Sequence, residues 1–197
     1  MIIENCEQGT PEWHRLRTAK PSASQFKNIV TSDGKRSTMR AKYLYQLAGE
    51  RITGTREESY QNGAMQRGTK MEPEARAMFS MVTGFDVEEV GCCVHDSGLY
   101  LCSPDGLIGD MGVEIKCPSM AVHVSYLLGN KVPADYYQQV HGSMLVTGFN
   151  QWFFVSYYPG LKPLIHLEKR DDVFCKKLEE ELNKFCKELD EIAEKIR

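Results

Sequence analysis

The sequence predicts an α/β fold in which helices flank a central, mixed β-sheet. Three observations lead to this prediction. The N-terminal third carries helix start and stop signals, the middle changes to short apolar runs typical of strands, and the C-terminal segment has an apolar stripe with helical period. At 197 residues and 42% apolar composition, the chain is long enough for one substantial core. We therefore expect a single domain over residues 1–197.

The N-terminal third is predicted to contain three helices. Residues 10–20 begin with a threonine cap followed by proline and end before the next proline. Residues 22–30 begin with Ser22 and Gln25, which fit a capping box. A third helix is expected from about residue 37 to the glycine at 49 or 54, where left-handed backbone ends a helix.

The rest of the chain alternates between apolar patterns with the period of a strand and patterns with the period of a helix. Strands are predicted at residues 85–94, 99–103, 113–117, 151–158 and 164–167. Helices are predicted at residues 69–83, 133–148 and, as a long charged helix, 174–196. The fourth strand is almost entirely large and apolar, so both of its faces should be covered. The last helix is predicted to pack on its own domain, because it has too few heptads for a coiled coil.

Composition excludes several classes of protein. A net charge of −3 argues against a uniformly basic nucleic-acid binder, but residues 1–56 hold ten lysines and arginines against five acidic residues. Such a chain can hold a polyanion locally; the alternative is a set of solvated surface helices. The seven cysteines show no secreted spacing, which indicates reduced thiols. With neither signal-peptide features nor a long apolar run, the sequence predicts a cytoplasmic protein without membrane association.

The segment SPDGLIGDMGVEIKCP concentrates charge in a predicted hairpin. Side chains alternate along a strand, so Glu114 and Lys116 share one face. Asp105 lies where the hairpin folds back beside Glu114. Two carboxylates suit Mg²⁺ or Mn²⁺, and a lysine can orient a water and offset negative charge, which is what phosphodiester hydrolysis needs. The alternative is an Asp-Gly turn beside a surface ion pair.

The hairpin also belongs to a longer resemblance. Its SPD and EIK triplets resemble the PD-(D/E)xK motif of the restriction-endonuclease-like nucleases. Further blocks follow one another in order, namely EQGTPEWHRLR, SAS, RGTKMEPEAR, CSPDGL, VEIKCP and QQVHGSMLVTG. Together they resemble the phage lambda exonuclease family, also called the YqaJ-type or alkaline exonuclease family.

That resemblance implies a restriction-endonuclease-like core and a function. It implies a Mg²⁺-dependent 5′→3′ exonuclease, with Mn²⁺ as a substitute, that acts on 5′-phosphorylated ends of double-stranded DNA. The product would be 3′ single-stranded overhangs for phage-type homologous recombination. A homotrimeric ring, a single-strand annealing protein as partner, and a phage or prophage origin in a bacterial host are implied as well.

The family's metal ligands map onto the hairpin. Asp105, Glu114 and the carbonyl of Ile115 would hold the metal, and Lys116 would position the nucleophile. Glu72, in the MEPEAR block, resembles the acidic residue at a second metal or water.

Two further residues have open alternatives at this stage. Thr69 and Glu72 also fit a capping box, while Pro73 predicts a distorted helix start that would aim Glu72 elsewhere. Gln139 resembles a glutamine that orders the metal site, or it is an ordinary helix-surface residue. Its neighbour His141 is predicted to be a core or supporting residue.

A last group is implied for binding DNA. Arg17, Ser22 and Ser24 match residues that hold the 5′-terminal phosphate, and helix N–H groups, hydroxyls and a guanidinium suit an anion. Ser103 would also reach a DNA phosphate, and Met65 would separate the strands. The competing hypotheses are another PD-(D/E)xK nuclease, either an endonuclease or a RecB-like enzyme, and a non-catalytic protein that binds DNA ends.

Overall fold

The computed structural model describes residues 1–56 and 63–197, with side chains from residue 66 onward in the second range. The helices are Pro11–Arg17 (α1), Arg40–Thr53 (α2), Gly63–Thr83 (α3), Met120–Gly129 (α4), Tyr137–Thr147 (α5) and Asp172–Ile196 (α6). Two short 3-10 helices cover Ala23–Asn28 and Ala134–Tyr136. The strands are Ile2–Glu4 (β1), Cys92–Val94 (β2), Leu101–Cys102 (β3), Gly106–Ile108 (β4), Met111–Lys116 (β5), Gln151–Ser156 (β6) and Leu164–Lys169 (β7).

The strands form two sheets. Strands β4, β5, β6 and β7 make a mixed sheet in that order, in which β5 and β6 are parallel and the outer pairs antiparallel. This sheet, flanked by helices, confirms the predicted fold class. Strands β1, β2 and β3 form a separate antiparallel sheet. The predicted strands are thus divided between two sheets.

The mixed sheet is covered on both faces, as predicted for β6. Phe153 and Val155 pack with Phe79 of α3 on one face. Trp152 and Phe154 pack on the other face in a cluster that includes Met144 of α5. Because successive side chains of a strand point to opposite faces, this one strand joins two apolar layers.

The long C-terminal helix packs on its own domain, which confirms the prediction. Its buried stripe includes Leu178, Leu182, Phe185 and Leu189, and the Phe185 ring stacks on Tyr43 of α2 with centroids 5.7 Å apart. Within the described residues, none of the helices is both long and apolar enough to cross a membrane. All seven cysteines are free thiols, as predicted.

Two of the predicted helix starts are wrong. The segment after Ser22 is a 3-10 helix, and among the described residues the Ser22 side chain makes no capping hydrogen bond, so the capping box does not form. Helix α3 begins at Gly63, and Pro73 lies inside it. A proline removes one helix hydrogen bond. The helix nevertheless continues, because Ala75 and Phe79 are fully buried against the sheet.

Several strands and one helix also differ from the predictions. Only Cys92–Val94 of the predicted strand 85–94 is regular, although Glu88 makes an isolated bridge to Leu107. Strands β1 and β4 have three residues each and gave too short a pattern to identify. Helix α4 reads MAVHVSYLLG, whose nearly continuous apolar run has little amphipathic period.

Candidate active site

The β4–β5 hairpin brings the predicted charged residues together. The Asp105 N–H donates to the Val113 carbonyl at 3.0 Å, and the Ile115 N–H donates to Asp105 Oδ2 at 2.6 Å. These two bonds fix the aspartate beside the strand that carries Glu114 and Lys116. The Lys116 ammonium donates to Glu114 Oε1, so both residues lie on the predicted common face.

Glu114 is the most enclosed member of the group. Its side chain is 1% exposed, and Gln139 Nε2 of α5 donates to Glu114 Oε1 at 2.5 Å. Lys116 Nζ lies 5.3 Å from the centroid of the Tyr136 ring. The other carboxylate oxygen, Glu114 Oε2, is buried and has no hydrogen-bond partner among the residues described. A buried oxygen without a donor is costly, and a cation would satisfy it.

Helix α3 brings a third carboxylate to the hairpin. Glu72 Oε1 accepts from Arg76 Nη2 at 2.8 Å, and Arg76 Nε donates to the Asp105 carbonyl at 3.1 Å. The Asp105 carboxylate is also a principal cause of the raised pKa of Glu72. Glu72 therefore lies with Asp105, Glu114 and Lys116 in one charged group, which we call the acidic centre. Neither the capping role nor the distorted helix start predicted around it is observed.

The carboxylates of this centre oppose one another's ionisation. Burial, followed by the charge of Asp105, raises the pKa of Glu72 to about 7. Burial also raises the pKa of Glu114 to about 7, with Lys116 opposing the shift and Asp105 adding to it. The pKa of Asp105 is raised by burial too. Burial disfavours the Lys116 ammonium, but Glu114 and Asp105 outweigh it and raise its pKa, so the lysine is charged.

The acidic centre fits a divalent cation in its chemistry. Residues 1–56 and 63–197 contain no ready group of three or more histidine, cysteine or acidic side chains spaced to hold a metal ion. The donors are nevertheless oxygens, which Mg²⁺ prefers, and one of them is buried without a partner. A bound cation would also favour the ionised form of the three carboxylates, which burial disfavours.

A second site is built around Arg17, at the end of α1. Its Nη1 donates to Ser103 Oγ at 2.6 Å and its Nη2 donates to Ser22 Oγ at 3.3 Å, while Ser22 Oγ lies 3.4 Å from Ser24 Oγ. The guanidinium also stacks over the Trp13 ring at 4.3 Å. All four residues predicted from the DNA-binding part of the family resemblance and described with side chains are thus brought together.

Two of these residues, Arg17 and Ser22, line a cavity of about 130 Å³. Its lining also includes Lys20, Gln25, Tyr43, Arg56 and the acidic residue Glu50. Arg17 is 7% exposed, and its Nε is buried with no hydrogen-bond partner in the part of the chain that is described. Burial and then the neighbouring Arg56 lower the pKa of Arg17 to about 10, which still leaves it charged at neutral pH. Arg17, Lys20 and Arg56 outnumber Glu50 in the lining, so the cavity suits an anion.

Sequence reasoning missed part of this cavity. Lys20 and Gln25 flank the SAS block, so their proximity to Arg17 was a usable signal. Arg56 comes from beyond α2, and only the fold brings it close.

The positive charge of the N-terminal third is only partly directed at this cavity. Several of its arginines pair instead with acidic residues of α6. These pairs are Arg36–Glu181, Arg36–Glu188, Arg40–Glu188 and Arg51–Asp190. The charge asymmetry of the sequence therefore overstates the basic surface available to a polyanion.

Two other residues named from the sequence, His141 and Met65, add no contact to either site as described. His141 is 1% exposed, its Nδ1 accepts from the Asp171 N–H at 3.2 Å, and it packs on Tyr137 and Phe174. It is a core residue, as predicted. The side chain of Met65 lies outside the described residues, so its role in separating strands stays a prediction.

A mixed sheet with two carboxylates and a lysine on one hairpin, and an arginine-lined cavity beside it, defines a nuclease of restriction-endonuclease-like architecture. The sequence model of the YqaJ-like viral recombinase domain matches residues 12–150, and the chain belongs to this family. The protein is an exonuclease of that family.

Solved structures agree with this assignment. The chain is similar to the alkaline exonuclease LHK-Exo of Laribacter hongkongensis, with a TM-score of 0.87 and 35% identity over 95% of this chain and 96% of that one. LHK-Exo in complex with dAMP matches with a TM-score of 0.86 over the same shares. A phage-related exonuclease of Haemophilus somnus 129PT shares the fold, with a TM-score of 0.69 and 14% identity over 90% of this chain and 96% of that one. No curated protein matches the chain.

Proposed function

We propose that the protein is a Mg²⁺-dependent 5′→3′ exonuclease of double-stranded DNA that leaves 3′ single-stranded overhangs for phage-type homologous recombination. One observation carries the proposal. Ser103, the first residue of the tripeptide from Ser103 to Asp105, is hydrogen-bonded to Arg17. Arg17 lines the cavity described above, which we call the anion cavity. Asp105, the last residue of the tripeptide, belongs to the acidic centre. A site for a terminal phosphate and a site for hydrolysis are thus adjacent in the chain.

The acidic centre supports hydrolysis of a phosphodiester. Asp105, Glu114, the Ile115 carbonyl and Glu72 would hold the divalent ion, which when bound acidifies a water and offsets charge on the phosphate. The Lys116 ammonium orients the attacking water and faces the negative charge that develops on the phosphate oxygens. Gln139 fixes Glu114 Oε1 and so leaves Oε2 directed to the cation.

The anion cavity supports the 5′ polarity. Arg17, Ser22, Ser24 and Ser103 supply a guanidinium and hydroxyls, which suit the doubly ionised phosphate at the end of a strand. A phosphate held there places the next phosphodiester of the same strand toward Asp105. An end without that phosphate would lose this alignment.

Other parts of the proposal rest on the family resemblance. They are the homotrimeric ring, the single-strand annealing partner, use of Mn²⁺ in place of Mg²⁺, and action in the cytoplasm of a bacterial host of the phage or prophage. Recognition through phosphates rather than bases predicts binding that weakens steeply with salt.

The test is digestion of end-labelled linear duplex DNA, with and without a 5′-phosphate and with and without Mg²⁺. We expect nucleotide release from the 5′-labelled strand only with Mg²⁺, faster when the 5′-phosphate is present. Cutting of closed circular duplex would support an endonuclease instead. Binding to ends without any release would support a DNA-end binding protein.

A further inference from the structure

Arg76 connects three separate parts of the acidic centre. Its Nη2 donates to Glu72 Oε1 on the same helix at 2.8 Å, and its Nη1 lies 2.8 Å from Glu89 Oε2, before β2. Its Nε donates to the backbone carbonyl of Asp105 at 3.1 Å. One planar guanidinium thus joins α3, the segment leading to β2 and the hairpin that carries the charged residues.

These contacts differ from those of an ordinary helix salt bridge. An exposed pair four residues apart stabilises a helix by only about 0.3–0.5 kcal/mol. The Arg76 side chain is only 14% exposed, and its bond to Asp105 spans 29 residues of sequence. The arrangement therefore fixes one element relative to another rather than one helical turn.

The Asp105 backbone is fixed from two directions. Its N–H donates to Val113 within the hairpin, and its carbonyl accepts from Arg76 of α3. Glu72 and Asp105 belong to different elements, and their ionised forms repel each other. Without the guanidinium, α3 would still be held by apolar packing on the sheet and by the hydrogen bond from Tyr157 Oη to Glu74 Oε1, but neither contact reaches Glu72 or Asp105 directly.

We propose that Arg76 is a positioning residue that docks Glu72 and Asp105 into one constellation ready for a divalent cation. The inference rests on the proposed metal-dependent function. It goes beyond that proposal because Arg76 acts through the two carboxylates. Loss of Arg76 weakens metal binding and slows hydrolysis, while the choice between 5′-phosphate and 5′-hydroxyl ends is unchanged.

The three partners require an arginine. Nε, Nη1 and Nη2 each serve a different partner, and the rigid planar fork sets their directions. A lysine would supply the same charge from one nitrogen. Arg76→Lys therefore separates geometry from charge, and Arg76→Gln removes the charge as well.

The experiment measures Mn²⁺ binding to the full chain by calorimetry, together with kcat and KM on 5′-phosphorylated and 5′-hydroxyl duplexes. We expect both Arg76 variants to bind Mn²⁺ at least tenfold more weakly, with lower kcat and an unchanged ratio of the two substrates. Arg51→Lys is the matched control, because Arg51 pairs with Asp190 of α6 and takes no part in the acidic centre. Its Mn²⁺ affinity should stay within about twofold of wild type, the range expected for an exposed pair.

Each outcome decides the inference. Wild-type Mn²⁺ affinity and kcat in Arg76→Lys overturn it, even where Arg76→Gln fails to fold by circular dichroism. A folded Arg76→Lys protein with weakened Mn²⁺ binding supports it. If the wild-type protein neither binds Mn²⁺ nor releases nucleotides, it is the proposed function that fails, and the Arg76 variants are not needed to see it.

Discussion

The acidic centre and the anion cavity are built with opposite signs and by different means. The acidic centre places Glu114 and Lys116 on the regular strand β5 and Asp105 just before β4, whereas the cavity forms where the end of α1 meets a 3-10 helix. Each nevertheless keeps one buried polar atom without a partner in the described chain, Glu114 Oε2 in one and Arg17 Nε in the other. Each site thus has excess charge opposite in sign to the ligand it suits.

The tripeptide from Ser103 to Asp105 connects the two sites and is held from several sides. Trp13 Nε1 donates to Ser103 Oγ at 3.2 Å, and Gln8 Nε2 donates to the Pro104 carbonyl at 2.8 Å. Arg76 holds the next carbonyl. One segment, held from several sides, therefore joins a basic cavity to an acidic centre while their charges remain separate.

The largest expected effect comes from the acidic centre. Lys116→Ala and Asp105→Ala should each lower kcat by on the order of 10²–10³-fold or more, because groups that stabilise transition-state charge carry such factors. Nucleotide release from labelled duplex measures it, and circular dichroism checks the fold. Lys131→Ala removes an exposed lysine outside the site and should leave kcat unchanged. Near-normal hydrolysis by either variant would remove the basis for this centre.

The anion cavity should affect selectivity instead. Arg17→Gln should reduce the preference for 5′-phosphorylated over 5′-hydroxyl ends by about 10–100-fold, since hydrogen bonds to charged groups contribute about 1.5–3 kcal/mol. The measurement is the ratio of kcat/KM for the two ends. Arg36→Gln is the matched control, because Arg36 pairs with Glu181 of α6. An unchanged ratio in Arg17→Gln would place the terminal phosphate elsewhere.

The pH dependence should belong to the acidic centre alone. Glu72 and Glu114 have pKa values raised to about 7, so they hold protons below that pH that a cation must displace. At limiting Mg²⁺, the rate should therefore rise as the pH rises through about 7, and saturating Mg²⁺ should shift the rise to lower pH.

The raised pKa values of Glu72 and Glu114 also affect the stability of the folded protein. A carboxyl group with a raised pKa in the folded state stabilises the fold at low pH, and that contribution is lost as the pH rises from its unfolded value to about 7. In EDTA the Tm should fall between pH 6 and 8, and Mg²⁺ should restore more of it at pH 8. A Tm that rises over this range in EDTA would contradict the assignment.

The smallest expected effect is at the edge of the cavity. Ser24 Oγ lies 3.4 Å from Ser22 Oγ, a long hydrogen bond. Ser24→Ala should lower kcat/KM on 5′-phosphorylated ends by about two- to fivefold, in the range of one neutral hydrogen bond. Ser125→Ala, at an exposed serine of α4, is the control. A loss as large as that of Arg17→Gln would show that Ser24 binds the phosphate directly.

The sequence predicted those features of the site that depend on residues close together in the chain. The common face of Glu114 and Lys116 follows from strand alternation, and the position of Asp105 follows from the hairpin. Gln139 and Arg17 came from the family resemblance; in the fold Gln139 donates to Glu114 and Arg17 donates to Ser103, and their roles stay predictions.

Contacts between residues that are far apart in the sequence could not be predicted in this way. The bond from Arg76 to Asp105 and the position of Arg56 depend on how helices dock. The pairing of Arg36 with α6 does so as well, and a count of charges along the chain gives no sign of it. Pro73 lies inside a helix because burial of that helix outweighs a local preference.

The tripeptide also sets a length. Two residues of extended chain span at most about 7 Å, so under the proposed function Ser103 and Asp105 would keep the 5′-terminal phosphate and the bond to be cut a short, fixed distance apart. We expect the protein to remove one nucleotide at each step, with a step size that depends on the length of this tripeptide and not on the base sequence of the DNA.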